Sequence, residues 1–227
     1  FDENGREHIG CPTCTESTID NFDVRLEYYF GEDSSASVAL FHKLIDQPLE
    51  RVVPDGSGSA TRALTFRNAE EAEIQGLELD AAHTLVDSLD HGLKISGNLA
   101  FISSQITLDE VGARLEADPT RDLQGQSPFL ANLQLAYDHF GTDQKATLLI
   151  NYFDDRIDAV QRVQPVRKES GRATVNFNYE VGVGETSKIK LKDKNLLDAK
   201  TEYTQAGKVI EKYRRGIELG LGYSIDF

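Results

Sequence analysis

The sequence lacks the features of several large protein classes. It has no methionine, only two cysteines and no apolar run near the ~18 residues that a membrane-spanning helix requires. Charged residues make up 27% of the chain, and its mean hydropathy is −0.41. A helical membrane protein is therefore excluded. Because the first residues are neither an initiator nor a signal peptide, we expect the natural start of the protein to lie upstream.

Positive charge is also scarce. The chain has 24 Lys and Arg residues against 38 Asp and Glu residues, which gives a formal net charge of −14. Proteins that bind a nucleic-acid backbone replace its counterions with Lys and Arg side chains, and this composition argues against such a partner. We expect no nucleic acid among the partners of this protein.

The two cysteines lie in one short motif, Cys11-Pro-Thr-Cys14. A zinc site needs further Cys or His ligands at short spacing, and only His8 lies nearby. A thioredoxin-like redox motif needs a βαβ context, which the flanking residues lack. We interpret the pair as a candidate disulfide that closes a small loop. Free thiols and a redox or metal role are the alternatives.

Apolar and polar residues alternate along most of the chain. The clearest case is the last stretch, in which every second residue is apolar: Ile217, Leu219, Leu221, Tyr223, Ile225 and Phe227. Successive side chains of a β-strand point to opposite faces, so this stretch predicts a terminal strand with one apolar face. The same pattern recurs from about residue 22 onward and predicts about nine strands in total.

The segments that connect these strands alternate between short and long. The predicted short connections are 31–35, 86–92, 141–144 and 182–186, and the predicted long ones are 46–70, 107–127, 154–170 and 195–214. This sorting is typical of outer-membrane barrels, which have short periplasmic turns and long extracellular loops. A soluble β-sandwich does not require it.

Aromatic residues of the apolar face fall at the ends of the predicted strands. They are Tyr28, Phe30, Tyr137, Tyr179, Tyr223 and Phe227 on the short-turn side, and Phe22, Phe101, Phe129 and Tyr152 on the long-loop side. Amphipathic rings favour the headgroup level of a membrane, so two belts are predicted. The sequence thus predicts an all-β, antiparallel, up-and-down transmembrane barrel whose alternate side chains face lipid. A soluble all-β domain is the alternative.

Several segments, in their order and spacing, resemble the C-terminal barrel of TonB-dependent outer-membrane receptors. They are Asn21–Gly31, Val38–Lys43, Ile74–Leu79, Lys194–Asp198 and the terminal Phe227. The resemblance implies a barrel of about 22 strands, of which 1–227 would be the C-terminal portion, with 1–21 as an extracellular loop. The N-terminal plug and the region that contacts TonB are expected to be absent from this chain.

The resemblance also implies a function and a set of partners. The function is active import of a scarce ligand, such as a siderophore-type chelate or another nutrient, across the outer membrane of a Gram-negative bacterium. The expected partners are outer-membrane lipid and lipopolysaccharide, the small-molecule ligand, and the TonB complex through the missing N-terminal region. A passive porin and an adhesin barrel are the alternatives.

No catalytic, cofactor or metal site is predicted. The histidines His8, His42, His83, His91 and His139 are scattered and match neither a metal-binding helix nor a nucleophilic triad. Acidic residues of one long loop match no EF-hand spacing. They are Asp109, Glu110, Glu116, Asp118 and Asp122.

One long loop concentrates positive charge and supplies the candidate ligand contacts. They are Arg156, Arg162, Arg167 and Lys168. Such a cluster can bind an anionic ligand, for example a ferric chelate, or lipopolysaccharide phosphates. Solvated charges at the rim of the barrel are the alternative interpretation.

Overall fold

The alternating segments form β-strands in the computed structural model, which describes residues 9–52, 64–116, 118–161 and 164–225. In chain order, the elements are β1 (Thr18–Gly31), β2 (Ser34–Asp46), β3 (Leu49–Val52), β4 (Thr65–Asn68), β5 (Glu71–Asp87), β6 (His91–Thr107), α1 (Glu110–Leu115), β7 (Phe129–His139), β8 (Gln144–Phe153), β9 (Arg156–Ala159), β10 (Arg167–Glu169), β11 (Arg172–Val183), β12 (Ser187–Lys194), β13 (Lys200–Gln205), β14 (Lys208–Arg214) and β15 (Glu218–Ile225). A short 3-10 turn, Phe140–Thr142, joins β7 to β8.

Nine of these elements, here called the wall strands, form one antiparallel sheet. Their order in the sheet is β1-β2-β5-β6-β7-β8-β11-β12-β15, so each wall strand lies beside the next one along the chain. This up-and-down order confirms the predicted all-β architecture and the number of strands. The two edges of the sheet are β1 and β15.

The first wall strand begins earlier than predicted. The sequence places 1–21 in a loop, whereas β1 starts at Thr18. Thr18 pairs with Asp46 and Asn21 pairs with Lys43 of β2. These first residues of β1 carry little apolar alternation, and their strand conformation follows from the neighbouring strand rather than from their own pattern.

The register of the sheet places apolar side chains in continuous rows on one face. One row crosses seven strands: Val86, Leu93, Tyr137, Ala146, Tyr179, Leu191 and Leu221. Residues of this face are exposed, for example Leu221 at 81% and Val24 at 73%. An apolar face this exposed, repeated on strand after strand, is the pattern of a lipid-facing wall rather than of a sheet covered by a core.

The opposite face of the sheet is polar. A parallel row on this face also crosses seven strands: Glu27, Ser37, Asp80, Asn98, Asn132, Asn151 and Thr174. The two faces therefore differ along the whole sheet, as the alternation in the sequence predicts.

Short and long connections lie at opposite ends of the wall strands. The short ones join β1 to β2, β5 to β6, β7 to β8 and β11 to β12.

Aromatic rings cluster near both ends of the wall strands. On the long-connection side, the ring centroids of Phe101 and Phe129 are 5.0 Å apart, and those of Phe129 and Tyr152 are 5.9 Å apart. On the short-connection side, the ring centroids of Tyr28 and Phe30 are 5.9 Å apart.

The long connections contain structure that the sequence analysis treats as loop. The β2–β5 connection holds the hairpin β3–β4, and a second sheet has the order β14-β13-β10-β9, with β9 and β10 from the β8–β11 connection and β13 and β14 from the β12–β15 connection. The buried core also lies at this end: Ala69, Ala72 and Ile106 pack with the partly buried Ile45, Leu108 and Leu123. Among the described residues, no helix is long and apolar enough to cross a membrane.

Candidate functional site

The polar face of the wall forms a shallow cavity of about 410 Å³. At one side, Arg25 contacts Glu27 at 2.7 Å and Asp80 at 3.3 Å. Ser37 donates a hydrogen bond to Asp80 at 3.1 Å. One guanidinium is shared by two carboxylates, so this part of the wall carries a polar network with a small negative charge.

Neutral side chains make up the rest of this cavity. Asn132 donates to the side-chain oxygen of Asn98 at 2.7 Å, and Gln134 and Asn151 lie beside them. An amide group has both donors and acceptors, so these side chains can bind water, ligand or protein backbone equally well. This part of the wall can therefore form hydrogen bonds with a ligand of either charge.

The candidate ligand contact Arg156 is engaged within the protein. Its guanidinium binds Glu169 at 2.7 Å and stacks on the Phe153 ring at 4.5 Å. Arg172 stacks on the same ring at 4.7 Å and also binds Glu169, at 2.5 Å. Burial tends to raise the pKa of Glu169, but the hydrogen bonds from Arg172 and Arg156 outweigh this effect and hold its pKa below the ordinary value.

Arg167 is engaged in the same way. Its guanidinium binds Asp158 at 2.9 Å and Glu211 at 2.8 Å, and it lies 4.0 Å from the centroid of the Tyr203 ring. Burial, followed by the charges of Glu169 and Asp158, raises the pKa of Tyr203 to about 12. Arg167 therefore joins β10 to β9, β13 and β14, and its charge stabilises the second sheet.

Lys168 is placed differently from the two arginines. It is exposed and lines a second cavity, of about 720 Å³, between the segment 118–122 and the turn that joins β13 to β14. Within the described ranges, no carboxylate is paired with its ammonium group. The fourth candidate contact, Arg162, lies outside the described residues.

A buried charge cluster, which the sequence analysis does not single out, lies next to this cavity. Arg121 binds Glu50 through two hydrogen bonds of 2.6 and 2.7 Å and Glu116 at 3.1 Å. Arg67 contacts Glu116 as well. The side chains of Glu50, Glu116 and Arg121 are at most 4% exposed. Glu116 is thus committed to arginine, and the described residues hold no group of three or more acidic, His or Cys side chains placed to bind a metal.

The two cysteines lie close to the β3–β4 hairpin. Cys11 and Cys14 form a disulfide in the structure, and the following Thr15 exchanges hydrogen bonds with Asn68 at 2.8 and 3.1 Å. Ile9 donates from its backbone N–H to the carbonyl of Leu64 at 2.8 Å. The small disulfide loop is therefore attached to the first long connection, where it restricts the segment that enters β1.

A comparison with known protein families identifies the family to which this chain belongs. The family model described as TonB dependent receptor-like, beta-barrel matches residues 16–206. The chain belongs to this family. No curated protein matches the sequence. TonB-dependent receptors are outer-membrane proteins of Gram-negative bacteria that act as receptors and transporters, not as enzymes.

Solved structures of bacterial transporters and uptake receptors share the fold of this chain. The FrpB iron transporter of Neisseria meningitidis is 12% identical with a TM-score of 0.61, and the match covers 95% of this chain and 32% of that one. The ferric yersiniabactin uptake receptor FyuA of Yersinia pestis is 16% identical with a TM-score of 0.61 and coverages of 93% and 30%. The outer membrane transporter YddB of Escherichia coli is 12% identical with a TM-score of 0.63 and coverages of 98% and 34%. The chain thus spans about a third of the length of these proteins.

The terminal strand of this TonB-dependent receptor wall has the predicted alternation. The apolar residues Leu219, Leu221, Tyr223 and Ile225 are 45 to 81% exposed on one face. Ile217 is also exposed but lies just before the first residue of β15. Phe227 lies outside the described residues. Contact of this row with lipid stays a prediction.

Replacing Glu169 with glutamine should change the acid sensitivity of the second sheet. Because the pKa of Glu169 is lowered in the folded protein, its ion pairs stabilise β9 and β10 above its ordinary pKa and lose this effect as the pH falls through the lower folded-state pKa. We expect the backbone amide hydrogens of β9 and β10 to exchange with solvent faster in E169Q than in the wild-type protein at pH 7. After correction for intrinsic exchange rates, we expect no further loss of protection in E169Q as the pH is lowered. An identical pH profile for both proteins would contradict this role.

Proposed function

We propose that this chain is the C-terminal wall of an outer-membrane transporter that imports a scarce ligand with energy from the TonB complex. The observation that carries the proposal is the pair of opposite faces, one apolar and one polar, each continuous across seven strands in register. Such a wall suits a barrel with lipid outside and a watery interior. On this model the long connections are extracellular, and we propose that a plug and a contact with TonB are supplied from outside residues 1–227.

The proposed ligand is an anionic or chelated nutrient that approaches from the long-connection side. FyuA is described as a ferric yersiniabactin uptake receptor and OprC as a copper transporter, which supports a metal chelate as the first class to test. In the 720 Å³ cavity, whose lining also holds Asp118 and Asp122, the exposed Lys168 can bind an anionic group of the ligand. Beyond this cavity, the polar face of the wall offers neutral hydrogen-bonding groups along the proposed path of the ligand.

Uptake by the full-length protein tests this proposal. The complete gene is expressed in a Gram-negative host that lacks its own ferric-chelate receptors, and the uptake of radiolabelled ferric catecholate and ferric yersiniabactin is measured with and without a functional TonB. We expect uptake of at least one chelate that depends on TonB. Uptake that is independent of TonB would favour a passive porin, and cell attachment without uptake would favour an adhesin.

The candidate contact Lys168 can be tested in the same assay. Removing an exposed ammonium group that faces an anionic ligand is expected to raise the half-saturating concentration about two- to fivefold. We predict this change for K168A. The matched control is R114A, because Arg114 is 81% exposed in the β6–β7 connection and is not part of the cavity lining. Unchanged half-saturation in K168A would remove Lys168 from the ligand path.

A further inference from the structure

The buried charge cluster joins two connections that are far apart in sequence. Glu50 belongs to β3 in the β2–β5 connection, whereas Glu116 and Arg121 belong to the β6–β7 connection. Arg121 holds Glu50 through both of its terminal nitrogens, at 2.6 and 2.7 Å. Charges this deeply buried are tolerated only when they are paired, so separating these two connections would leave carboxylates or a guanidinium without partners.

Gln124 extends this link to a third connection. Its side-chain oxygen accepts a hydrogen bond from the Arg51 N–H at 2.6 Å, and its side-chain nitrogen donates to the carbonyls of Arg51 and Asp158 at 2.9 and 2.8 Å. Arg51 lies in β3 and Asp158 in β9. One amide side chain therefore completes the backbone hydrogen bonding of two strands from different connections.

Direct contacts reinforce the same junction. Val52 of β3 forms a parallel bridge with Val160, which follows β9, and the Val160 N–H donates to the Arg51 carbonyl at 3.3 Å. Val160 is 1% exposed. The junction thus has a buried apolar contact as well as polar ones, and it excludes water from the hydrogen bonds beside it.

The fourth connection is joined through the second sheet. Strand β10 pairs with β9 of its own connection and with β13 of the β12–β15 connection. Asp118 accepts a hydrogen bond from the Val166 N–H at 2.8 Å, which ties the β6–β7 connection to the same sheet. Every long connection of the wall therefore contacts at least one other within the part of the chain that the structure describes.

We infer that the long connections of this wall form one body that moves as a unit. The second sheet adds the β12–β15 connection to this body, and Arg121 and Gln124 join the other three connections. In this body they are positioning residues: Arg121 holds the β6–β7 segment against β3, and Gln124 holds β3 against β9. The consequence is that the 720 Å³ cavity beside residues 118–122 is preformed. Closure over a ligand by the β2–β5 or the β6–β7 connection alone would require breaking the buried Arg121–Glu50 ion pair, and closure by the β8–β11 connection alone would require breaking the Gln124 hydrogen bond to Asp158. This coupling between the connections does not depend on the identity of the ligand.

Hydrogen exchange of the full-length protein in lipid nanodiscs, followed by mass spectrometry, tests this inference. The first variant is R121M, which keeps an unbranched side chain but removes the charge and the hydrogen-bond donors that bind Glu50. We expect exchange to rise about tenfold or more in the β3–β4 hairpin and also in β9, which Arg121 does not touch. Exchange in the wall strands β7 and β8 should stay at the wild-type level.

The second variant is Q124A, which removes a neutral group and leaves no buried charge behind. We expect it to raise exchange in β3 and β9 in the same direction, so it carries the test if R121M does not reach the outer membrane. The control is R114M, because Arg114 lies in the same connection as Arg121 but is exposed. An engineered disulfide between Val52→Cys and Val160→Cys should restore protection in the Q124A background.

Two results would overturn the inference. In the first, R121M and Q124A leave the exchange of β3 and β9 at the level of R114M, which would mean that the connections are held independently. In the second, R121M loosens the β3–β4 hairpin alone, which would mean that the ion cluster joins two connections without coupling to the third. Loss of protection in β9 with R121M, or in β4 and β10 with Q124A, supports one body, because the replaced side chain makes no hydrogen bond to those strands.

Discussion

Replacing Leu148 with arginine is expected to prevent the barrel from accumulating in the outer membrane. Leu148 lies in the middle of β8, in register with Leu135 on one side and Phe177 on the other, all on the apolar face. An arginine on the lipid face near the bilayer midplane costs about 2–4 kcal/mol. A loss of this size is a large fraction of the stability of a typical domain. The folded protein can be measured as the heat-modifiable band in outer-membrane fractions.

The neighbouring residue provides a matched control. Thr147 is adjacent to Leu148 in β8 and faces the polar side of the sheet, in register with Ala136 and Asn178. The T147R variant introduces the same charge one residue away, into a face that is expected to contact water, and we expect near wild-type levels of folded protein. If both variants were lost equally, or if L148R were tolerated, the apolar face would not contact lipid.

Replacing Gly97 with valine is expected to destabilise the wall at the contact between β6 and β7. A Cβ atom at Gly97 would lie 2.6 Å from the backbone carbonyl oxygen of Asn132. A contact that short forces the two strands apart, since a backbone atom cannot rotate away as a side chain can. Overpacking of this kind costs about 1–3 kcal/mol. Urea unfolding of the full-length protein in lipid vesicles measures the loss.

The G220V variant distinguishes the effect of this close backbone contact on stability from a general effect of introducing valine. The nearest atom to a Cβ at Gly220, the Lys192 backbone oxygen, is 3.7 Å away, which is an ordinary contact. We expect G220V to unfold near the wild-type urea concentration. Valine at position 97 would gain apolar contact on its face of the sheet, so a loss of stability in G97V can be assigned to the backbone contact. Equal midpoints for both variants would contradict this explanation.

The wall of this protein can be predicted from its sequence because its signal is local. Alternation within each strand fixes which side chains share a face, and the lengths of the connections fix which ends of the strands lie together. The alternation is visible in stretches such as Val24–Tyr28 without knowledge of the neighbouring strands. The start of β1 at Thr18 is the exception, because the conformation of its first residues depends on pairing with Asp46 and the other residues of β2.

The long connections could not be predicted in the same way. Strand β10 is three residues long and carries Arg167, Lys168 and Glu169, so it has no apolar alternation to detect. Its stability comes from partners that are distant in sequence: Arg167 binds Glu211, 44 residues away. Arg121 binds Glu50 across 71 residues. Pairings of this range cannot be derived from one sequence, since any of its many carboxylates could be the partner.

For the same reason, the candidate site could be predicted only in part. A cluster of basic residues in one connection is visible in the sequence, but their availability to a ligand depends on which acidic residues the fold brings to them. Arg156 and Arg167 bind carboxylates and stack on aromatic rings, whereas Lys168 faces a cavity. The sequence alone does not distinguish these cases.

The accessibility of alternate positions along β11 tests the central claim most directly. Single cysteines carrying nitroxide labels are placed at consecutive positions from Thr174 to Tyr179 of the full-length protein in lipid bilayers. Collision with oxygen, which concentrates in hydrocarbon, is compared with collision with a water-soluble nickel chelate. We expect high oxygen accessibility at Val175, Phe177 and Tyr179 and low oxygen accessibility at Thr174, Asn176 and Asn178. Equal oxygen accessibility at odd and even positions would show that this face does not contact the membrane.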